Sequence, residues 1–177
     1  EVNYVELNMT DPLFQDINIR KSLVHAVSRD NLGSYLSEFE TPAYSLVLRK
    51  CLNYSDEAVD YYKTNYGYDP ELSKKLLADA GWTDTNNDGF VDKDGKNFAF
   101  EFNCRDTETS KKVAQSLQID LKAVGIDMQI KTQNWSYVNQ DVVDGNFQMA
   151  YLGLGWSEPF LLVDNFCGRN VECTNPD

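Results

Sequence analysis

The pattern with the most chemical content is Asp84-x-Asn86-x-Asp88-Gly89-x-x-Asp92. Alternating carboxylate and carboxamide oxygens, with glycine at the sixth place, match the opening of an EF-hand calcium loop. The twelfth place holds Gly95 where that loop needs a bidentate Glu, and a strand rather than a helix is expected to follow. The competing expectation is an Asp/Asn/Gly hairpin whose side chains bond their own backbone. Asp84, Asn86, Asp88 and Asp92 therefore stand as a weak calcium candidate, with no other metal site and no cofactor expected. Nucleophilic chemistry finds less support. The single histidine, His25, has no nucleophile near it in sequence, and no nucleophile elbow or phosphate-cradling loop is present. No cysteine pair forms a Cys-x-x-Cys, so a zinc ribbon or thioredoxin-type site is not supported. Cys167 and Cys173 sit in a short Gly/Asn-containing stretch that can close into a disulfide in an oxidising compartment. Cys51 and Cys104 could pair as well, but four cysteines allow three connectivities and the sequence does not choose among them.

Aromatic residues are the second set with binding potential. Trp135 opens a predicted helix, Tyr151 lies in a predicted strand, and Trp156 follows it, with Glu158 close behind. Ligands of open α/β sheets bind outside the carboxyl ends of the strands. Side chains there can stack on a solute, while an acidic group adds charge or hydrogen bonding.

The elements that must position these residues read clearly in places. Asp16 or Asn18 caps a helix running to about Arg29, with Ile19, Leu23, Ala26 and Val27 as its apolar stripe. Asp30 is expected to begin a second short helix. The aromatic stretch over 38–68 reads as a long loop with a helix near 55–64. Asp69-Pro70-Glu71 is a strong helix start, Leu72, Leu76 and Ala80 form its stripe with Leu77 beside it, and Gly81 ends it. Phe98, Phe100, Phe102 and Cys104 alternate as a strand. A helix over 108–124 carries Val113, Leu117, Leu121 and Val124 on one side, with Gly125 as its stop. Ile126, Met128 and Ile130 mark another strand, Asn134 caps a helix to about Asp144, and 147–154 is a third strand. The order β-α-β-α-β predicts an α/β fold with a parallel or mixed sheet and crossover helices.

Composition bounds the function. The 177 residues carry 16 Lys+Arg and 28 Asp+Glu, a net charge of −12. That balance argues against nucleic acid, which requires a surplus of cations. No apolar run approaches the length of a membrane-spanning helix. The size suits one domain with its own core.

Taken in order, several blocks resemble one family, the extracytoplasmic solute-binding proteins of ABC importers in the oligopeptide, dipeptide and nickel-binding group (family 5). The blocks are Asp11-Pro12-Leu13-Phe14 with the helix from Ile19 to Arg29, the run from Tyr68 to Trp82, the Asp/Asn/Gly turn with Gly95-Lys96, Leu121 to Asp127, and Gly145-Asn146-Phe147-Gln148. Ser28 stands where Asp is usual. The resemblance implies one lobe of a periplasmic-binding-protein type II-like fold, with residues 1–177 forming a single domain cut from a larger two-lobe protein. It implies a receptor, not an enzyme, lipid-anchored at the cell surface or periplasmic, that takes a peptide or peptide-like solute and delivers it to an ABC permease. Oligosaccharide and metal-chelate ligands are alternatives within the family. The implied cleft residues are Trp135, Tyr151, Trp156 and Glu158. Peptide-binding members carry an Asp after the Gly-Trp that pairs with the peptide amino group; here Trp156-Ser157 leads straight into Glu158-Pro159, and Glu158 matches a later acidic residue. Outside the family, the rivals are a calcium-binding module, a small carboxylate-dependent hydrolase, and an acidic domain that meets a basic partner.

Overall fold

A computed structural model describes residues 2–36, 40–45, 47, 49, 51 and 54–154. Strand β1 (Val2–Leu7) leads through a 3-10 turn at Pro12–Phe14 into helix α1 (Ile17–Ala26) and the short α2 (Arg29–Gly33). Helices α3 (Asp56–Asn65) and α4 (Pro70–Asp79) follow, then a small hairpin of β2 (Asp92–Lys93) and β3 (Lys96–Asn97). The remainder alternates as β4 (Ala99–Arg105), α5 (Glu108–Ala123), β5 (Asp127–Gln133), α6 (Trp135–Val143) and β6 (Met149–Leu154). The main sheet has the order β1-β6-β4-β5. Strand β4 is parallel to both β5 and β6, while β1 runs antiparallel along the edge of β6. The expected mixed α/β sheet with crossover helices is therefore present. The antiparallel edge strand β1 is an addition that the sequence reading did not include.

Capping explains where the helices begin. Asp16 accepts from the Asn18 amide at 2.8 Å, which settles the first cap in favour of Asp16. Helix α1 stops at Ala26 rather than continuing to Arg29. Val27 and Ser28 are extended, and Ser28 Oγ accepts from the Asn31 amide at 3.2 Å as the cap of α2. A residue serving as N-cap needs extended backbone, so the apolar stripe could not carry one helix through this point. The cap of the second helix is thus Ser28, not Asp30.

The start of α4 is as expected. Asp69 Oδ1 accepts from the Leu72 amide at 2.9 Å and Pro70 takes the first turn. The buried face differs: Ser73 and Leu77 are fully enclosed, while Leu72, Leu76 and Ala80 are half-buried. Ser73 Oγ donates to the Ser22 carbonyl at 2.9 Å, so α4 approaches α1 along a polar-lined contact that apolar periodicity does not register. We expect Asp69→Ala to remove the cap bond at a cost of about 1 kcal/mol. Thermal denaturation should then show a fall in Tm of about 2–4 °C.

The core lies on the face of the sheet covered by α1, α4 and α5. Phe98, Phe100, Phe102 and Cys104 of β4 meet Leu77, Val113, Leu117, Leu121, Ile126 and Met128 there. Trp82 closes one side, edge-on to Phe98 at 4.7 Å. Burial pushes the Cys104 thiol up to about 11. Cys51 and Cys104 are both free, so the Cys51–Cys104 pairing is not formed; Cys104 is enclosed by the core of the sheet. His25 is also buried, with Nδ1 2.8 Å from the Gly67 carbonyl and its ring stacked on Tyr66. It fastens the entry to α4 to the end of α1. Gly125 is needed at the turn into β5: its φ is +85°, and a Cβ there would lie 3.0 Å from Val91 Cγ1. A smaller cluster of Val138, Ala150 and Leu152, with Tyr4, Val142 and Phe147, seats α6 on the opposite face.

Candidate functional site

The carboxyl ends of β4 and β5 and the start of α6 meet at one edge of the sheet. Arg105 ends β4, and its register partner in β5 is Gln133. One residue later Asn134 caps α6, its Oδ1 accepting from the Ser136 amide at 3.1 Å, and this fixes Trp135 at the first helical position. Trp135 is 39% exposed, too open for a core residue. The Arg105 guanidinium lies 3.8 Å from the centre of its ring. Such a stack is worth about 0.5–2 kcal/mol, depending on its exposure.

A polar seam beneath α6 holds this arrangement. Asn103, fully buried, donates to Asp141 Oδ2 at 3.1 Å. Lys131 lies 3.5 Å from Asp141 and 3.6 Å from Glu101. Glu101, Asn103 and Arg105 alternate along β4, and Lys131 and Gln133 along β5, so all five share the face under α6. Val138 packs the helix down in the same place. Among the described residues, two acceptors on this face are buried without a hydrogen-bond partner: Asn103 Oδ1 and Gln133 Oε1. An unmatched buried acceptor ordinarily costs about 1–3 kcal/mol, so two on one face mark this end of the sheet as unusual.

The predicted cleft residues are distributed as follows. Trp135 stands exposed at the start of α6, beside the carboxyl end of β5. Tyr151 pairs with Val5, and its side chain is half-buried against the main core, on the sheet face away from α6. Trp156, Glu158 and the Cys167–Cys173 pair lie outside the described residues. Arg105 was not among the expected site residues. The sequence signal available for it was its place directly after the alternating run of β4.

The acidic turn is built from local bonds. Asp84 Oδ2 accepts from the Gly89 amide at 3.0 Å, Asn86 Oδ1 from the Asp88 amide at 2.9 Å, and Asp88 Oδ1 from the Phe90 amide at 2.8 Å. The Asn97 carboxamide and the Phe90 amide together hold the Asp88 carboxyl below the usual carboxylate range. Asp92 is buried, and both of its oxygens accept from Thr85, through its amide and its hydroxyl. Among the described residues no group of three or more His, Cys, Asp or Glu is gathered as a metal site. At the far end of the sheet, a recess of about 520 Å³ lies between the end of β1 and the end of α6 and includes Glu6, Asn8 and Phe147. Burial raises the Glu6 carboxyl there and, with Glu6 beside it, pushes the Tyr4 phenol up to about 12.

The mixed α/β sheet thus carries helices on both faces and an exposed aromatic–cation pair at its strand ends. The chain belongs to the bacterial extracellular solute-binding proteins, family 5, whose middle-region model matches residues 1–176. This is a family of solute-binding proteins rather than enzymes. It is 30% identical over 156 residues to the oligopeptide-binding protein AppA of Bacillus subtilis, covering 87% of this chain and 28% of that protein. The AppA structure in complex with a nonapeptide superposes with a TM-score of 0.76 at 27% identity, over 88% of this chain and 31% of that one. The mannohexaose-bound oligopeptide-binding protein of Thermotoga maritima gives a TM-score of 0.74 at 27% identity, over 85% and 29%. NikA of Brucella suis in complex with Fe(III)-EDTA gives 0.72 at 27%, over 90% and 31%. The chain thus spans less than a third of the length of these relatives.

Proposed function

We propose that this chain forms one lobe of a two-lobe receptor that closes on a peptide or peptide-like solute and hands it to an ABC permease. The receptor works outside the cytoplasm, in the periplasm or lipid-anchored at the cell surface. The observation that carries the reading is the Arg105–Trp135 pair at the carboxyl ends of β4 and β5. An exposed indole offers an apolar platform, and the guanidinium beside it makes no ion pair or hydrogen bond with a described residue. That combination suits a solute with an apolar body and a carboxylate, as a short peptide has. No bond is made or broken. Affinity comes from burying the solute between two lobes, so one lobe alone is expected to bind weakly.

An oligosaccharide is the second reading, favoured by the exposure of Trp135, since a sugar ring can stack on an indole without needing the cation. Titrations of this chain with tri-alanine, cellotriose and a nickel–histidine chelate, followed at the Trp135 indole N–H by NMR, separate the classes. We expect tri-alanine to move that resonance, and Trp135→Ala, followed instead through the backbone amides of α6, to weaken binding at least about tenfold. Cellotriose binding that ignores Arg105→Leu would favour the sugar reading. A Trp135 resonance unmoved by all three would overturn the cleft assignment.

A further inference from the structure

Two anomalies at the site explain each other. Arg105 carries a fork of N–H donors that reaches no acceptor among the described residues and rests on a ring face instead. Gln133, its register partner one strand away, carries a buried carbonyl oxygen that reaches no donor among the described residues. Both side chains project to the α6 face, from strands about 4.8 Å apart. The donor and the acceptor are neighbours that do not meet, because the guanidinium lies over the Trp135 ring.

We propose that Gln133 is a positioning residue for Arg105, which works between two seats. In the open lobe, Arg105 covers the Trp135 platform. A solute that stacks on the indole displaces it, and the guanidinium moves to donate one N–H to Gln133 Oε1. Its remaining donors then face the solute. The platform is kept from casual apolar contacts, and the displaced cation is already aimed when a carboxylate arrives. A solute that brings only an apolar surface displaces Arg105 without gaining the ion pair. The cleft therefore favours solutes that carry both features. This rests on the reading of Arg105 and Trp135 as cleft residues.

The test uses this chain, with tri-alanine and tri-alanine amide as probes. The indole N–H of Trp135 is the readout, assigned by its loss in Trp135→Phe. Gln133→Leu removes the second seat. It should weaken tri-alanine binding about tenfold, as expected for loss of a hydrogen bond to a charged group, and leave the amide unaffected. Gln133→Glu supplies a stronger acceptor. It should draw Arg105 off the ring without ligand, shifting the free indole resonance toward its ligand-bound position. Equal loss for acid and amide in Gln133→Leu would make Gln133 merely structural, and an unmoved indole in Gln133→Glu would remove the second seat. Either result overturns the proposal while leaving the cleft intact. If Arg105→Leu keeps the full preference for acid over amide, or tri-alanine moves nothing, the cleft reading falls as well.

Discussion

Replacing Phe102 with Ala is expected to destabilise the fold by about 3–5 kcal/mol, a large part of the whole stability of a domain this size. Phe102 is completely enclosed in β4. Its register neighbours are Ile130 in β5 and Met149 in β6, so the ring is held from both sides within the sheet. The α1, α4 and α5 helices cover that face, with Leu77, Val113 and Leu117 in the same cluster. A cavity at the centre of a sheet collapses poorly, because its walls are hydrogen-bonded strands, which puts the cost at the upper end for such truncations. Urea unfolding measures it directly. Ile119→Ala, at a side chain 63% exposed on α5, is the matched control and should change stability by less than about 0.5 kcal/mol. A loss below about 1 kcal/mol for Phe102→Ala would mean that this position is not the centre of the core. Because Arg105 lies three residues farther along the same strand, loosening β4 should also disturb the Arg105–Trp135 stack.

Elements whose signals are local were legible in the sequence, and those that depend on distant partners were not. The start of α4 is written in three consecutive residues, Asp69, Pro70 and Glu71, and β4 in its alternating phenylalanines. Strand β1 carries alternation over only six residues, and its partner β6 lies at the other end of the chain. Nothing near Val2 announces that pairing. The apolar stripe of α1 runs on through Val27, yet the helix stops earlier because Ser28 caps α2 and its amide is held by Asp120. At the site, Trp135 could be found from its cap and from the strand before it. Arg105 could not, because an arginine after a strand is usually a solvated surface charge. Only the β4–β5 register brings it over the indole and beside Gln133. The acidic turn shows the reverse case. Its spacing matches a calcium loop over half its length, while the folded chain turns those oxygens onto amides and hydroxyls within the same loop.

That distant hold on Ser28 leads to the second large effect. Asp120 is 6% exposed on α5 and accepts from the Ser28 amide at 2.8 Å and from the Asn31 carboxamide at 3.3 Å. Ser28 is itself buried, so Asp120→Ala leaves its N–H without a partner and away from water. Loss of a charge-assisted bond together with an orphaned donor predicts a cost of about 2–4 kcal/mol. Asp120→Asn separates the contributions. Its Oδ1 can still accept from Ser28, but its NH₂ would face the Asn31 NH₂, donor against donor, so it should recover part of the loss and not all of it. Urea unfolding gives the totals, and amide hydrogen exchange at Ser28 tests the cause. That amide should exchange much faster in Asp120→Ala than in the wild type and at an intermediate rate in Asp120→Asn. If both variants destabilise equally while the Ser28 amide stays protected, another group holds the α1–α2 junction. If the prediction holds, the break between α1 and α2 is enforced by a side chain from the helix beneath it. Ser28 can then cap α2 because Asp120 already fixes its backbone.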